Sequence, residues 1–348
     1  MAKILVLGAG MMGSALCVPL SDRGHDVRLC GTHLDEDIVA SLRATGVHPK
    51  MGLELPRSIR PFSIAELDAA AEGVDVIALG VSSAGIPWAC EQLQRIATPG
   101  RPIAMITKGL VLEGDALHVL PDVVAKSLPP SVRETVFPAA IGGPCIAGEI
   151  ARRVPTCVVV TGRDRPTLDR LAELFRTPYY HLGASTDVVG VEVCAALKNA
   201  FAMGVGFAAG IHEARGGKPG SVAMHNYEAA AFAQAVIEMA RVVRALGGSP
   251  ESALGLPGAG DLNVTCNGGR TGRFGKWLGT GLGRDEAIAK MEGATLECLE
   301  ILAVMEAALP SLARAGLPAS QLPMLRHLID VALHGAKVDM PFARFGHA

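Results

Sequence analysis

The feature that most narrows the possible folds lies at the start of the chain, where Lys3-Ile4-Leu5-Val6-Leu7 runs into Gly8-Ala9-Gly10-Met11-Met12-Gly13. The short apolar run reads as a buried strand, and residues 12–23, closed by Gly24, read as a helix. The three glycines have separate uses at such a turn. Gly8 permits the tight bend, Gly10 lets a pyrophosphate approach the backbone, and Gly13 lets the helix pack closely. The helix start adds unpaired N–H groups and the positive end of its dipole, both suited to phosphate. An ordinary glycine-rich turn shares the spacing, but the strand–turn–helix context favours dinucleotide binding.

Further strand-like runs follow at residues 26–30, 75–79, 102–106, 136–141 and 156–160, the early ones separated by helix-length stretches. That alternation predicts a mostly parallel, doubly wound sheet. After about Asp187 the strand signals stop. Long Ala/Leu/Glu-rich segments at 187–210, 226–246, 295–315 and 321–333 predict helices, and 216–220 reads as an exposed loop. The expected architecture is therefore α/β, with a dinucleotide-binding domain over 1–186 followed by an all-α domain over 187–348. A chain of 348 residues is long enough to need both cores.

Composition excludes several classes. With 49% hydrophobic and 19% charged residues the chain is globular, and a net charge of −2 leaves no basic excess for nucleic acid. Its eight cysteines contain no C-x-x-C pair, and the N-terminal apolar run is too short for a signal peptide, so a reducing cytoplasm is expected. The ten histidines show no metal-ligand spacing, and no metal is expected. Residues 194–211 are nearly long and apolar enough to span a bilayer. They contain Lys198-Asn199, however, and a central lysine costs roughly 2.5–3.5 kcal/mol on insertion. A buried helix of a soluble protein is the better reading.

That lysine is the first candidate for chemistry. Apolar neighbours surround Lys198 at the i±3 and i±4 positions, and a desolvated ammonium group gives up its proton more readily. A lysine whose long stem carries it to the surface fits the same sequence, although Asn199 beside it favours a cavity. A second candidate is the stretch from Leu256 to Cys266, where Asp261 suits either a helix cap or the partner of a buried cation. Beyond it, Arg270 and Arg273 in glycine-rich surroundings suit a phosphate or a solvated loop. Lys108, after the strand at 102–106, falls where doubly wound sheets bind ligands, or is a surface lysine at a strand end. Cys266 reads as a core thiol. At the ribose end, Cys30-Gly31-Thr32-His33 holds no acid at the end of the second strand, and Asp35 comes late, so NADP is admissible beside NAD.

In order along the chain, these segments resemble the NAD(P)-dependent sn-glycerol-3-phosphate dehydrogenase family of the bacterial type. The resemblance runs through Gly8–Gly13, Thr107-Lys108-Gly109, Gly142-Gly143-Pro144-Cys145-Ile146-Ala147, Gly190-Val191-Glu192 to Lys198-Asn199, Gly258 to Cys266, Arg270 to Gly275, and Glu292-Gly293. It implies a Rossmann domain followed by a helical domain, a small phosphorylated substrate, and hydride exchange between NAD(P) and C2 of dihydroxyacetone phosphate. By that resemblance Lys198 is the general acid/base, Lys108 the second lysine touching cofactor and substrate, and Asp261 the group that holds lysine and substrate. Gly143, Cys145, Thr265, Arg270 and Thr271 would face the substrate. Gly8, Gly10, Met11, Met12, Gly13, Thr32, Lys108, Ala147, Arg270 and Glu292 would line the cofactor.

This chain departs from the family near the phosphate. Bacterial members carry Ser-Arg-Asn-Arg-Arg-Phe-Gly where this chain has Gly269-Arg270-Thr271-Gly272-Arg273-Phe274-Gly275. The family's Phe or His at one further position is Ile146, and the connection over 212–225 is longer than usual. Reduction of another phosphorylated ketose or of ketopantoate therefore stays open, as does a dinucleotide sensor without catalysis. Arg270 and the Asp261 motif weigh against ketopantoate, and the intact Lys198, Lys108 and Asp261 against the sensor. The sequence leaves the assembly open, a homodimer included.

Overall fold

The computed structural model describes residues 1–218, 224–267 and 269–346; Pro219 and Gly220 of the expected loop, and Gly268, lie outside the described residues. Two compact units are present. The first comprises Met1–Lys108 and Leu120–Val188, the second Gly109–Val119 and Val189–Ala348.

The first unit is built on an eight-stranded sheet. Its strands are β1 (Lys3–Leu7), β2 (Asp26–Cys30), β3 (Arg60–Phe62), β4 (Val76–Leu79), β5 (Ile103–Met105), β6 (Ala139–Gly142), β7 (Thr156–Thr161) and β8 (Tyr180–Ser185). They lie in the order β8-β7-β6-β5-β4-β1-β2-β3. From β3 to β6 every pair is parallel, β7 runs antiparallel to β6, and β8 is parallel to β7. This is the doubly wound order, with the winding reversed between β1 and β4. Both of those strands are buried on their two faces, as helix-covered parallel strands must be.

The expected strands at 3–7 and 26–30 match β1 and β2, while the fifth expected run begins three residues late, at Ala139. Val136 instead bonds back to Val132, and Pro138 has no N–H to give a ladder. Edge strand β3, missed in the sequence, carries Pro61, which a sheet tolerates only at its margin.

The second unit is mainly helical. Its principal helices are α2 (Val188–Ala214), α3 (His225–Ala245), α4 (Asp261–Cys266), α5 (Arg270–Gly279), α6 (Glu297–Arg314) and α7 (Pro323–His334); α1 (Met11–Asp22) belongs to the first unit. Helix α2 has the length and hydropathy of a membrane span, yet 94% of its apolar window is buried inside the protein. It is the core helix here. Its backbone touches that of α5 directly: a Cβ on Gly206 would lie 2.4 Å from the Gly272 carbonyl oxygen, and one on Gly210 would lie 1.9 Å from that of Lys276. No larger residue fits that seam, so it fixes α5, and Arg270 at its start, against the helix that carries Lys198.

Elsewhere, Glu238 of α3 is fully buried and accepts the N–H groups of Met324 and Leu325 at 2.8 Å each, closing the open start of α7. Burial pushes its carboxyl up to about 7. The unit also takes in a hairpin, Leu110–Glu113 with Ala116–Val119, packed on α6 and tied to it by Asp115 and Arg314 at 2.8 Å.

Candidate active site

The glycine loop is the best-defined candidate. Gly8 has φ +110, a conformation that only glycine adopts without strain, and a Cβ there would meet the Gly80 backbone at 2.9 Å. A Cβ on Gly13 would lie 2.1 Å from the Gly8 carbonyl oxygen. Gly80, which follows β4, completes the contact: a Cβ there would lie 2.8 Å from the Gly13 Cα. Three glycines thus press the start of α1 onto the ends of β1 and β4. Gly80 was not singled out in the sequence, because its role depends on a partner from another strand.

Gly10 differs from its neighbours. Its backbone is extended, and a Cβ there would meet nothing within 4 Å. The protein itself does not require glycine at this position. The space beside the helix start is open, as close approach of a pyrophosphate demands. Met11 is exposed and Met12 half-buried at the same end of α1. On this observation the residues fit a dinucleotide.

Ala9, in the middle of the loop, is held from three directions. Its N–H donates to Asp35 Oδ2 at 3.1 Å. Its carbonyl accepts from Ser14 Oγ at 2.9 Å and from the His48 ring at 3.1 Å. Asp35 also accepts the N–H and hydroxyl of Thr32, both at 2.9 Å. The late acid noted in the sequence is therefore turned into the loop and buried. His33 and Leu34 are exposed, with the His33 ring edge-on to Trp88 at 6.0 Å.

Lys108, Gly143, Cys145 and Ala147 gather at the ends of β5 and β6. The Lys108 ammonium group donates to the Gly143 carbonyl at 3.4 Å, and Gly143 has φ +119. Thr107 donates to the Val81 carbonyl at 2.7 Å, joining the loops that follow β4 and β5. Cys145 is half-buried and Ala147 buried, while Ile146 is 42% exposed.

In the second unit Lys198 does not reach the surface. Its Nζ donates to Asp261 Oδ1, and the two side chains are 11% and 1% exposed. Asp261 follows one turn of π-helix at Leu256–Gly260, a local widening frequent at functional sites. Its carboxylate is the partner of the buried cation. Thr265 donates its hydroxyl proton to the Asp261 carbonyl at 2.6 Å.

Glu297 ties the neighbouring residues together. It accepts from Asn199 Nδ2 at 3.2 Å and lies 3.5 Å from a guanidinium nitrogen of Arg270. Nothing in the sequence pointed to Glu297, since its partners are remote in the chain. Arg270 keeps half of its side chain exposed. Thr271 is buried, with its hydroxyl hydrogen-bonded to Cys298, so it presents no polar group outward. Glu292 is exposed, with a left-handed φ of 50. Burial pushes the Cys266 thiol up to about 12, leaving it protonated and poor as a nucleophile. Among the described residues no cluster of three or more His, Cys, Asp and Glu could hold a metal.

Comparison with known proteins places the chain in one family. The N-terminal model of NAD-dependent glycerol-3-phosphate dehydrogenase matches residues 3–167, and the C-terminal model matches residues 187–342. The chain belongs to the glycerol-3-phosphate dehydrogenase family. Within that family it is 37% identical over 291 residues to the NADP(+)-dependent glycerol-3-phosphate dehydrogenase of Archaeoglobus fulgidus, covering 83% of each chain. It is 34% identical over 294 residues to the glycerol-3-phosphate dehydrogenase [NAD(P)+] of Geobacter metallireducens, covering 83% of this chain and 82% of the relative. Among solved structures, glycerol-3-phosphate dehydrogenase from Coxiella burnetii has a TM-score of 0.80 at 27% identity, covering 97% of this chain and 96% of that one.

Proposed function

We propose that this chain interconverts sn-glycerol 3-phosphate and dihydroxyacetone phosphate with NAD(P). The observation that carries the reading is the buried Lys198–Asp261 pair, in a chain 37% identical to an NADP(+)-dependent glycerol-3-phosphate dehydrogenase. The loop from Gly8 to Gly13 would hold the dinucleotide, with Met11, Met12, Thr32, Ala147 and Glu292 as further lining residues. A bound nicotinamide supplies or accepts the hydride.

The remaining work falls to the chain's own side chains. On reduction the Lys198 ammonium group donates a proton to the C2 oxygen of the ketone; on oxidation the amine takes the hydroxyl proton back. Such transfer contributes about 10²–10⁴ in rate. Asp261 fixes the lysine in place. Lys108 adds a second positive charge for the developing alkoxide, as preorganised cations do. Arg270 is assigned to the substrate phosphate through its planar fork. All eight cysteines are free thiols, which supports a reducing cytoplasm as the site of action.

The test follows NADH and NADPH absorbance with dihydroxyacetone phosphate, other phosphoketoses and ketopantoate. Turnover with dihydroxyacetone phosphate is expected, and Arg270→Ala should raise its KM about tenfold or more. Preference for another ketone would move the substrate assignment. Cofactor binding without any turnover would support the sensor instead. An unchanged KM in Arg270→Ala would remove the phosphate role.

A further inference from the structure

The segment after β2 brings two buried polar side chains to one residue of the glycine loop, Ala9, one to each of its flanking peptides. Asp35 is 8% exposed and His48 is fully buried. His48 sits in a short hairpin, Val47–His48 with Leu53–Glu54, that follows the helix Glu36–Thr45. Its tautomer follows from its partners. Met51 N–H donates to Nδ1 at 3.3 Å, so Nε2 carries the ring proton and donates to the Ala9 carbonyl at 3.1 Å. Burial holds the imidazole below its ordinary pKa and therefore neutral.

Asp35 grips the other side of the same residue. A carboxylate at this place in an NAD-selective site binds the ribose 2′-hydroxyl. Here the oxygen Oδ2 accepts three bonds from inside the protein, two from Thr32 and one from Ala9. We propose that Asp35 and His48 are positioning residues that clamp Ala9 from its two sides and preset the glycine loop for the dinucleotide, and that Asp35 does not read the ribose. The two cofactors then gain equally from the clamp, because the pyrophosphate is common to both. This inference rests on the loop holding the dinucleotide.

The test measures dissociation constants of NADH and NADPH by ligand fluorescence, with thermal unfolding recorded for each variant. Gln places an amide nitrogen where His48 has Nε2, whereas Asn reaches only as far as Nδ1. His48→Gln should therefore bind both cofactors nearly as the parent does. His48→Asn should weaken both about tenfold, the worth of one buried hydrogen bond. Asp35→Ala should weaken both by about tenfold or more, with Asp35→Asn recovering part of the loss and the NADPH-to-NADH ratio unchanged. Equal behaviour of the Gln and Asn variants at position 48 would overturn the clamp. A tenfold shift of the ratio toward NADPH in the Asp35 variants would make Asp35 a ribose reader. Should an Asp35 variant fail to fold, the two His48 variants still decide. Failure of the parent to bind either cofactor would instead defeat the dinucleotide reading itself.

Discussion

The glycine loop and the Lys198 neighbourhood are built on opposite plans. The loop works by leaving side chains out: Gly8, Gly13 and Gly80 let backbones touch, and Gly10 leaves space open. Its fine adjustment is left to backbone groups gripped from outside, at Ala9. The lysine neighbourhood works by burying side chains that usually stay wet. Lys198 and Asp261 neutralise one another under cover, and Glu297 stands beside both Asn199 and Arg270. A phosphate needs an unobstructed approach to N–H groups, whereas proton exchange needs a charged group kept out of water. Each plan answers its own demand.

The contrast breaks first at Lys198. Lys198→Arg keeps a cation opposite Asp261 but cannot release its proton at any ordinary pH. Turnover should fall by about 10²–10⁴, with cofactor affinity retained. Lys198→Ala should lose as much turnover and also destabilise the fold by about 3–5 kcal/mol, since buried Asp261 loses its cation. Steady-state kinetics and urea unfolding on the two variants separate these effects. Near-normal turnover in the Arg variant would take the proton from Lys198.

Within the loop, Gly13→Ala and Gly10→Ala should diverge. The first forces a Cβ into the Gly8 carbonyl and should destabilise the protein by about 1–3 kcal/mol. The second meets nothing in the protein and should leave the unfolding midpoint alone while weakening NADH and NADPH binding. Equal midpoints for the two variants would mean that the loop is less closely packed than its geometry requires.

The smallest effect is expected at Glu297. Its pairing with Arg270 is half-exposed, a class worth about 0–1 kcal/mol. If the substrate phosphate must draw Arg270 from that carboxylate, Glu297→Gln should lower the KM for dihydroxyacetone phosphate up to about fivefold at unchanged kcat. A raised KM would show Glu297 aligning the arginine rather than competing for it.

The two plans also differed in how well they could be read. The loop's glycines are neighbours in sequence and carry a spacing, so β1, the turn and α1 were legible from the first residues. Lys198 stood out because an apolar helix made it anomalous, but its partner lies 63 residues away. Glu297 is 98 residues from Asn199, and no local pattern encodes such pairings. His48 was invisible for another reason. Its partner is a backbone carbonyl, and every residue has one. Asp35 reads from the sequence as a near miss at the ribose, because the sequence does not encode which way a carboxylate turns.

The hairpin over Gly109–Val119 bears on how the protein is made. Its strands leave the ribosome early in synthesis, yet the helix that covers them, α6, begins at Glu297. Until that helix emerges, Leu110, Val119 and the carboxylate of Asp115 wait without their eventual neighbours on α6, while every strand of the eight-stranded sheet has already been made. A chain cut after residue 186 would carry that hairpin permanently uncovered. The break between the two halves in sequence is therefore a poor place to divide the molecule, and a dissection that respected the structure would have to remove the hairpin as well.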